Sequence, residues 1–217
     1  MIPAFDEAPW IGAVIRSIPR EVDGFNRVEV LVIDDGSSDG TGDAAREAGA
    51  DHVITHRRNQ GLARAFMTGM DHALALGADV IVNTDADGQY DFGDIRGLVQ
   101  PILDEGADLV VGARPIDDID HFSRMKRLFQ RLGSWTVRKA SGTDVPDAPS
   151  GFRAFTAAAA RQFIILNRHT YTLEMLIKAG RSGMRVESVP VRVNPPVRPS
   201  RLMRSWPAYV RHSAVTI

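Results

Sequence analysis

The chain contains no cysteine. A disulfide framework, a thiolate metal centre and a cysteine nucleophile are therefore excluded, and the composition fits a reducing cytosol. Lysine is scarce, occurring only at Lys126, Lys139 and Lys178, so arginine carries nearly all the positive charge. Lys and Arg total 26 against 27 Asp and Glu, a formal net charge of −1. No global basic field exists, and nucleic acid is not expected as a partner. No apolar run approaches the ~20 residues that cross a bilayer. The amino-terminal stretch carries Asp6 and Glu7 and lacks the basic-then-apolar order of a signal peptide.

What remains is ordinary globular material. The 217 residues are 44% hydrophobic and 24% charged, enough for one domain with a core and a cleft. Apolar β-branched runs alternate with helical patterns. Strands are expected at 28–33, 52–55, 79–84 and 108–113. Helices are expected at 43–49, with Thr41 or Asp39 as cap, at 61–77 and at 91–106. Pro101 is expected to kink or split the last of these. In the second half, 122–140 and 171–180 read as helices, and 150–155 and 184–193 as strands. The alternation predicts an α/β fold, a mostly parallel sheet with helices on both faces.

In such a sheet, ligands bind beyond the carboxyl ends of the strands. Acidic residues gather there: Asp34 and Asp35 after one strand, Asp85 and Asp87 after another, while Arg114 follows a third. A turn is the simplest reading of 34-DDGS-37 taken alone. In 85-DADGQ-89 the carboxylates alternate, which repels unless a cation sits between them. A calcium loop would need Gly and Glu where Tyr90 and Arg96 stand. Oxygen ligands alone favour Mg²⁺ or Mn²⁺, typically shared with a substrate's phosphates. The six histidines show no metal-ligand spacing, and no Ser-His-Asp constellation is visible.

The stretches 2-IPAFDE-7, 32-VIDDGSSDGT-41, 59-NQGLARAFMTG-69, 84-TDADGQY-90 and 147-DAPSGFR-153 are similar, in order and spacing, to the motifs of family 2 glycosyltransferases with the GT-A (Rossmann-like) fold. Within them the chain most resembles the polyprenyl-phosphate, or dolichyl-phosphate-type, sugar transferases. The resemblance implies that Pro3, Phe5 and Glu7 line the nucleotide pocket and that Asp35 holds the base or ribose. It implies that Asp85, Asp87 and Gln89 meet the metal and the donor's diphosphate, and that Arg114 meets the diphosphate too. Asp147, Ser150, Gly151, Phe152 and Arg153 match the acceptor-side motif, with Asp87, Asp147, Arg114 and Arg153 as the catalytic set. Arg198 and Arg201 fall near a late basic element, although 195-PPVRPSRL-202 departs from the usual Gly-x-Ser-Lys form. Asp6 stands where Asn is usual, and the first strand is nearly absent.

The activity so implied is inverting transfer of a sugar from a nucleotide-sugar, of GDP-mannose or UDP-glucose type, to a polyprenyl phosphate. Asp147 would orient the acceptor, or act as base toward a hydroxyl. Residues 1–195 would form the catalytic domain, with the nucleotide side over about 1–114 and the acceptor side over 115–195. Met125, Leu128, Phe129, Leu132 and Trp135 recur at helical steps among arginines and lysines, and 201–211 does the same. Such segments suit amphipathic helices in a membrane interface, on the cytoplasmic side, with 196–217 leading toward transmembrane helices. An amphipathic helix packed on the sheet is the plainer alternative. Rival functions are transfer to a soluble or polysaccharide acceptor, nucleotidyl transfer and non-catalytic nucleotide-sugar binding. Nucleotidyl transfer calls for a Gly-rich basic first loop, which 2-IPAFDEAPW-10 is not. Oligomeric state is not readable from the sequence.

Overall fold

The structure, a computed structural model, describes residues 1–115, 124–166 and 170–195, with only the backbone path described over 124–132. Strand β1 (Ile2–Ala4) is short and entirely buried. Helix α1 (Ala8–Ser17) follows, with Pro9 in its first turn, where a missing N–H costs nothing. Then come β2 (Leu31–Asp34), α2 (Thr41–Glu47), β3 (His52–Thr55) and α3 (Leu62–Ala75). The second part holds β4 (Val80–Asn83), α4 (Ile95–Glu105), β5 (Leu109–Ala113), α5 (Arg124–Ser141), β6 (Arg153–Thr156), α6 (Ala157–Ala160), α7 (Thr172–Arg181) and β7 (Val186–Pro190). β2 starts later than the apolar run 28–33 because its pairing begins at Leu31, opposite His52 of β3.

The strands form two ladders, β1-β2-β3 and β4-β6-β5-β7. Met1 joins them: its amine donates to Val82 O, and Thr84 N donates to Met1 O, the pattern of a parallel bridge. β1, β2 and β3 are parallel, and so are β5 and β7; β6 runs antiparallel to both β4 and β5. All strands but β6 therefore point the same way.

Strand residues alternate between two cores. Val32, Val110 and Ala154 face the layer built on α1, α2 and α4, through Ile11, Val14, Ile15, Ala45 and Leu98. Leu31, Ile33, Leu109, Val111 and Phe155 face α3, α5 and α7, through Phe66, Met70, Val137, Met175 and Leu176. The expected helices on both faces are present. Pro101 does not split α4, which spans Ile95–Glu105 with Pro101 inside it. A proline removes one backbone bond, and the buried Ile95, Leu98 and Val99 anchor the helix around that loss. Gly106, left-handed at φ 69, closes it. Among the described residues, no helix is long and apolar enough to cross a membrane.

Candidate active site

The direction of β6 decides what meets at the carboxyl edge. β1, β2, β4 and β5 end there, and β6, running oppositely, begins there. Asn83 pairs with Arg153, so the chain beyond Asn83 lies beside 150–152. Asp85 thus meets Gly151 so closely that a Cβ on Gly151 would stand 2.9 and 3.0 Å from the two carboxylate oxygens. Only glycine leaves Asp85 its place.

The Gly151 peptide is held from two sides. Its N–H donates to the Tyr90 hydroxyl at 3.2 Å, and its carbonyl accepts from Asn83 Nδ2 at 2.9 Å. Asn83 Nδ2 also donates to the Tyr171 hydroxyl at 2.7 Å. Tyr171 in turn stacks on Phe66 of α3, ring centroids 3.8 Å apart. Tyr90 and Tyr171 are fully buried, and burial pushes Tyr90's phenol up to about 12 and Tyr171's in the same direction. Both stay neutral hydrogen-bonding groups at any working pH.

The acidic loop itself is half-buried at Asp85, Asp87, Gly88 and Gln89. Gly88 takes φ 67, and Asp87 Oδ1 accepts from Gln89 N at 3.2 Å. Asn194 clips the loop from the far side. Its N–H donates to Gln89 O at 2.7 Å, and its amide donates to Gly88 O at 3.0 Å and Tyr90 O at 3.2 Å. The sequence reading missed Asn83, Tyr90, Tyr171 and Asn194; only Tyr90 falls in a quoted motif, and Asn194 carries no local signal.

Arg114 extends from the end of β5 and forms a two-pronged ion pair with Asp147, Nε to Oδ2 at 2.7 Å and Nη2 to Oδ1 at 3.0 Å. Burial opposes the guanidinium's charge, but the carboxylates of Asp147 and Asp85 nearby outweigh it and hold Arg114 more firmly protonated than usual. The structure therefore brings Asp85, Tyr90, Arg114, Asp147 and Gly151 together.

Several of the expected site residues have partners within the fold. Asp147 is 1% exposed, and both its oxygens are taken by Arg114, so it is not placed as a free base. Arg153 is wholly buried and donates to three carbonyls, of Ser150 at 2.8 Å, Thr172 at 2.7 Å and Ala148 at 2.7 Å. It fastens the acceptor-side loop. Ser150 is buried as well, its hydroxyl 3.4 Å from that of Tyr90. Asp35 turns inward: Gln60 N, Gly61 N and His56 Nδ1 reach its carboxylate at 2.9, 2.8 and 2.7 Å. It anchors the loop before α3, which crosses so tightly over Gly36 (φ 75) that a Cβ there would lie 2.3 Å from the carbonyl carbon of Arg58.

Pro3 is buried in β1, Phe5 just beyond it is 39% exposed, and Glu7 is buried at the start of α1. Glu7 N donates to the Thr41 hydroxyl, and Asp6, at φ 51, accepts from Ser38 N, a backbone angle that suits Asp or Asn. Arg198 and Arg201, with all of 196–217, lie outside the described residues, as do the side chains of 124–132.

The donor set fits a hard divalent cation. Asp85 and Asp87 carry only oxygen donors and Gln89 adds an amide oxygen, and among the described residues no group of three or more His, Asp or Glu is placed to hold a metal by itself. Two carboxylates without a cage match Mg²⁺ or Mn²⁺ completed by phosphate oxygens.

Residues 1–165 match the model of glycosyl transferase family 2. The chain is 29% identical over 215 residues to a UDP-N-acetylglucosamine–dolichyl-phosphate N-acetylglucosaminyltransferase of Methanococcus voltae, covering 88% of this chain and 83% of that one. It is 29% identical over 201 residues to an undecaprenyl-phosphate mannosyltransferase of Micrococcus luteus, covering 88% and 81%. Among solved structures, glucosyl-3-phosphoglycerate synthase from Mycobacterium tuberculosis, in complex with Mn²⁺ and UDP-glucose, superposes with a TM-score of 0.73 at 23% identity, over 98% of this chain and 73% of that one.

Proposed function

The chain belongs to glycosyl transferase family 2 and is a GT-A glycosyltransferase, and from that premise we propose that it moves a sugar from a nucleoside-diphosphate donor to a polyprenyl phosphate at a membrane surface. The observation that carries the reading is the meeting of Asp85 with Gly151 and Arg114 at the carboxyl edge of the sheet. The relatives named for dolichyl and undecaprenyl phosphate support the acceptor class. Pro3, Phe5 and Glu7, on the first strand and its exit, line the nucleotide side.

Asp85 and Asp87, with Gln89, would hold Mg²⁺ or Mn²⁺; the crystallised Mn²⁺ complex of the structural relative supports that cofactor class. When bound, the cation acts as a Lewis acid that offsets charge on the departing diphosphate. Arg114 adds a fixed positive charge beside it, oriented by Asp147 so that no reorganisation is needed as the leaving group forms. A phosphate acceptor is already anionic at neutral pH and needs no strong base, which agrees with an Asp147 engaged elsewhere. Attack on the anomeric carbon from the face opposite the leaving group inverts its configuration.

The test is a thermal-shift panel of GDP- and UDP-sugars with and without Mn²⁺, followed by transfer to a polyprenyl phosphate. A nucleotide that binds only the folded chain raises the melting temperature by mass action. A metal-dependent shift for one nucleotide, abolished in Asp87→Ala with its fold intact, is the expected result. Normal turnover in Asp87→Ala would remove the metal assignment. Transfer to a soluble sugar but never to the lipid would favour the rival acceptor class.

A further inference from the structure

The chain leaving β7 runs antiparallel beside the end of the acidic loop, with Tyr90 opposite Val193 in an isolated bridge. On either side of that bridge, Asp91 N donates to Arg192 O at 3.3 Å and Asn194 N donates to Gln89 O at 2.7 Å. The Asn194 side chain adds two bonds, from Nδ2 to Gly88 O at 3.0 Å and to Tyr90 O at 3.2 Å. Three successive carbonyls, of Gly88, Gln89 and Tyr90, thus converge on one residue. Gly88, at φ 67, turns the chain at that point. Arg192 ties the same region by ion pairs to Asp91 at 3.0 Å and Asp94 at 2.8 Å, but both partners lie past the metal motif and the arginine is exposed. Exposed pairs of this kind contribute little.

The three carbonyls belong to the stretch that carries Asp87 and Gln89. Two carboxylates grip a cation well only when the backbone already holds them at a workable separation; a loose loop must be ordered on binding, and the affinity falls by that cost. The Asp85 half of the grip stands against Gly151, where a Cβ would touch its carboxylate. The other half has only a local bond of its own, Gln89 N to Asp87 Oδ1 at 3.2 Å, besides the clasp from 192–194. We infer that Asn194 is a positioning residue for the metal grip: by holding the carbonyls of Gly88 and Tyr90 it sets where Asp87 and Gln89 stand relative to Asp85 before a cation arrives. The inference rests on the reading that Asp85, Asp87 and Gln89 hold the cation, and it adds a residue about a hundred positions further along the chain that no motif contains.

The experiment uses the full chain with Mn²⁺ as probe, in the presence of UDP and of GDP, and reads free Mn²⁺ by electron paramagnetic resonance. Asn194 is exposed, so Asn194→Ala is expected to fold. Removing a group that orients metal ligands typically weakens metal binding tenfold or more. Asn194→Ala should therefore raise the Mn²⁺ dissociation constant about tenfold. In the metal-free protein the same variant should speed amide hydrogen exchange over 88–91 and leave exchange in β5 unchanged, a readout that needs neither metal nor turnover. Arg192→Ala should lower the urea midpoint slightly and leave the Mn²⁺ constant where it was. Wild-type binding of Mn²⁺ with an equal constant in Asn194→Ala would overturn the assignment and leave the metal reading standing; so would an equal loss in Arg192→Ala. A wild type that takes up no Mn²⁺ with either nucleotide would overturn the metal reading and this assignment with it.

Discussion

Gly151 carries no side chain, and its backbone angle is not the left-handed one that demands glycine. What demands it is the carboxylate of Asp85, 2.9 Å from where a Cβ would be. Gly151→Ala should fold, at a cost of about 1–3 kcal/mol for overpacking. It should weaken metal-dependent nucleotide binding by tenfold or more, read as a lost thermal shift at fixed nucleotide. Unchanged binding would mean that Asp85 needs no such neighbour. Tyr90 makes a separate prediction about pH. Its phenol has a pKa of about 12 in the fold against an ordinary 10, so the folded state holds that proton more tightly than the unfolded chain. The resulting stability is complete below about pH 10 and is lost as pH rises through 12, about 3 kcal/mol in all. Tyr171, raised by the same burial, adds in the same direction. Urea midpoints measured from pH 9 to 12 should fall, and less steeply in Tyr90→Phe. That variant also leaves the buried Gly151 N–H unpaired, at about 1–3 kcal/mol.

At the scale of elements, the start of β6 is the part that the sequence concealed. The strands β2, β3, β4 and β5 were legible because each is a β-branched run with turn residues after it. The carboxyl-edge rule then placed Asp85, Asp87 and Arg114 correctly at strand ends. What was not legible depends on long-range pairing. Nothing local to 150-SGFRAF-155 says that it runs antiparallel, that Arg153 points inward, or that Asp147 is spent on Arg114. Those follow from registers such as Asn83 opposite Arg153, and local periodicity does not encode registers. Arg153 tests the point. Burial pulls its guanidinium down to about 10, still charged at neutral pH, and three carbonyls depend on it. Arg153→Met should cost about 3–5 kcal/mol, since it orphans buried acceptors. Arg153→Lys should recover only part, because an ammonium lacks the planar fork. Urea unfolding measures both. Full stability in Arg153→Met together with lost transfer would instead assign Arg153 to a substrate.

At the scale of the whole molecule, the proposed lipid acceptor calls for a surface that would meet a membrane. In α5 the residues Ser134 and Val137 are buried, while Trp135 is 50% exposed. The apolar stripe expected along that helix therefore includes a residue that the core does not claim. An exposed Trp beside Arg138 and Lys139 suits an interface with anionic headgroups. The protein should cosediment with anionic vesicles at low salt and release at high salt, and Trp135→Glu should weaken that binding without changing nucleotide affinity. Equal binding to neutral vesicles, or none to anionic ones, would remove this face from consideration.

Asn194 couples these scales. Through three hydrogen bonds it fastens the backbone of Gly88, Gln89 and Tyr90 to the stretch that leads out of β7. The acidic loop is therefore tethered at a point remote in sequence, like a hinge leaf pinned from behind. The tie runs through both backbone and side chain of Asn194, and Arg192 O adds to it by accepting from Asp91 N. The strand exit after β7 and the charged loop therefore hold each other in place.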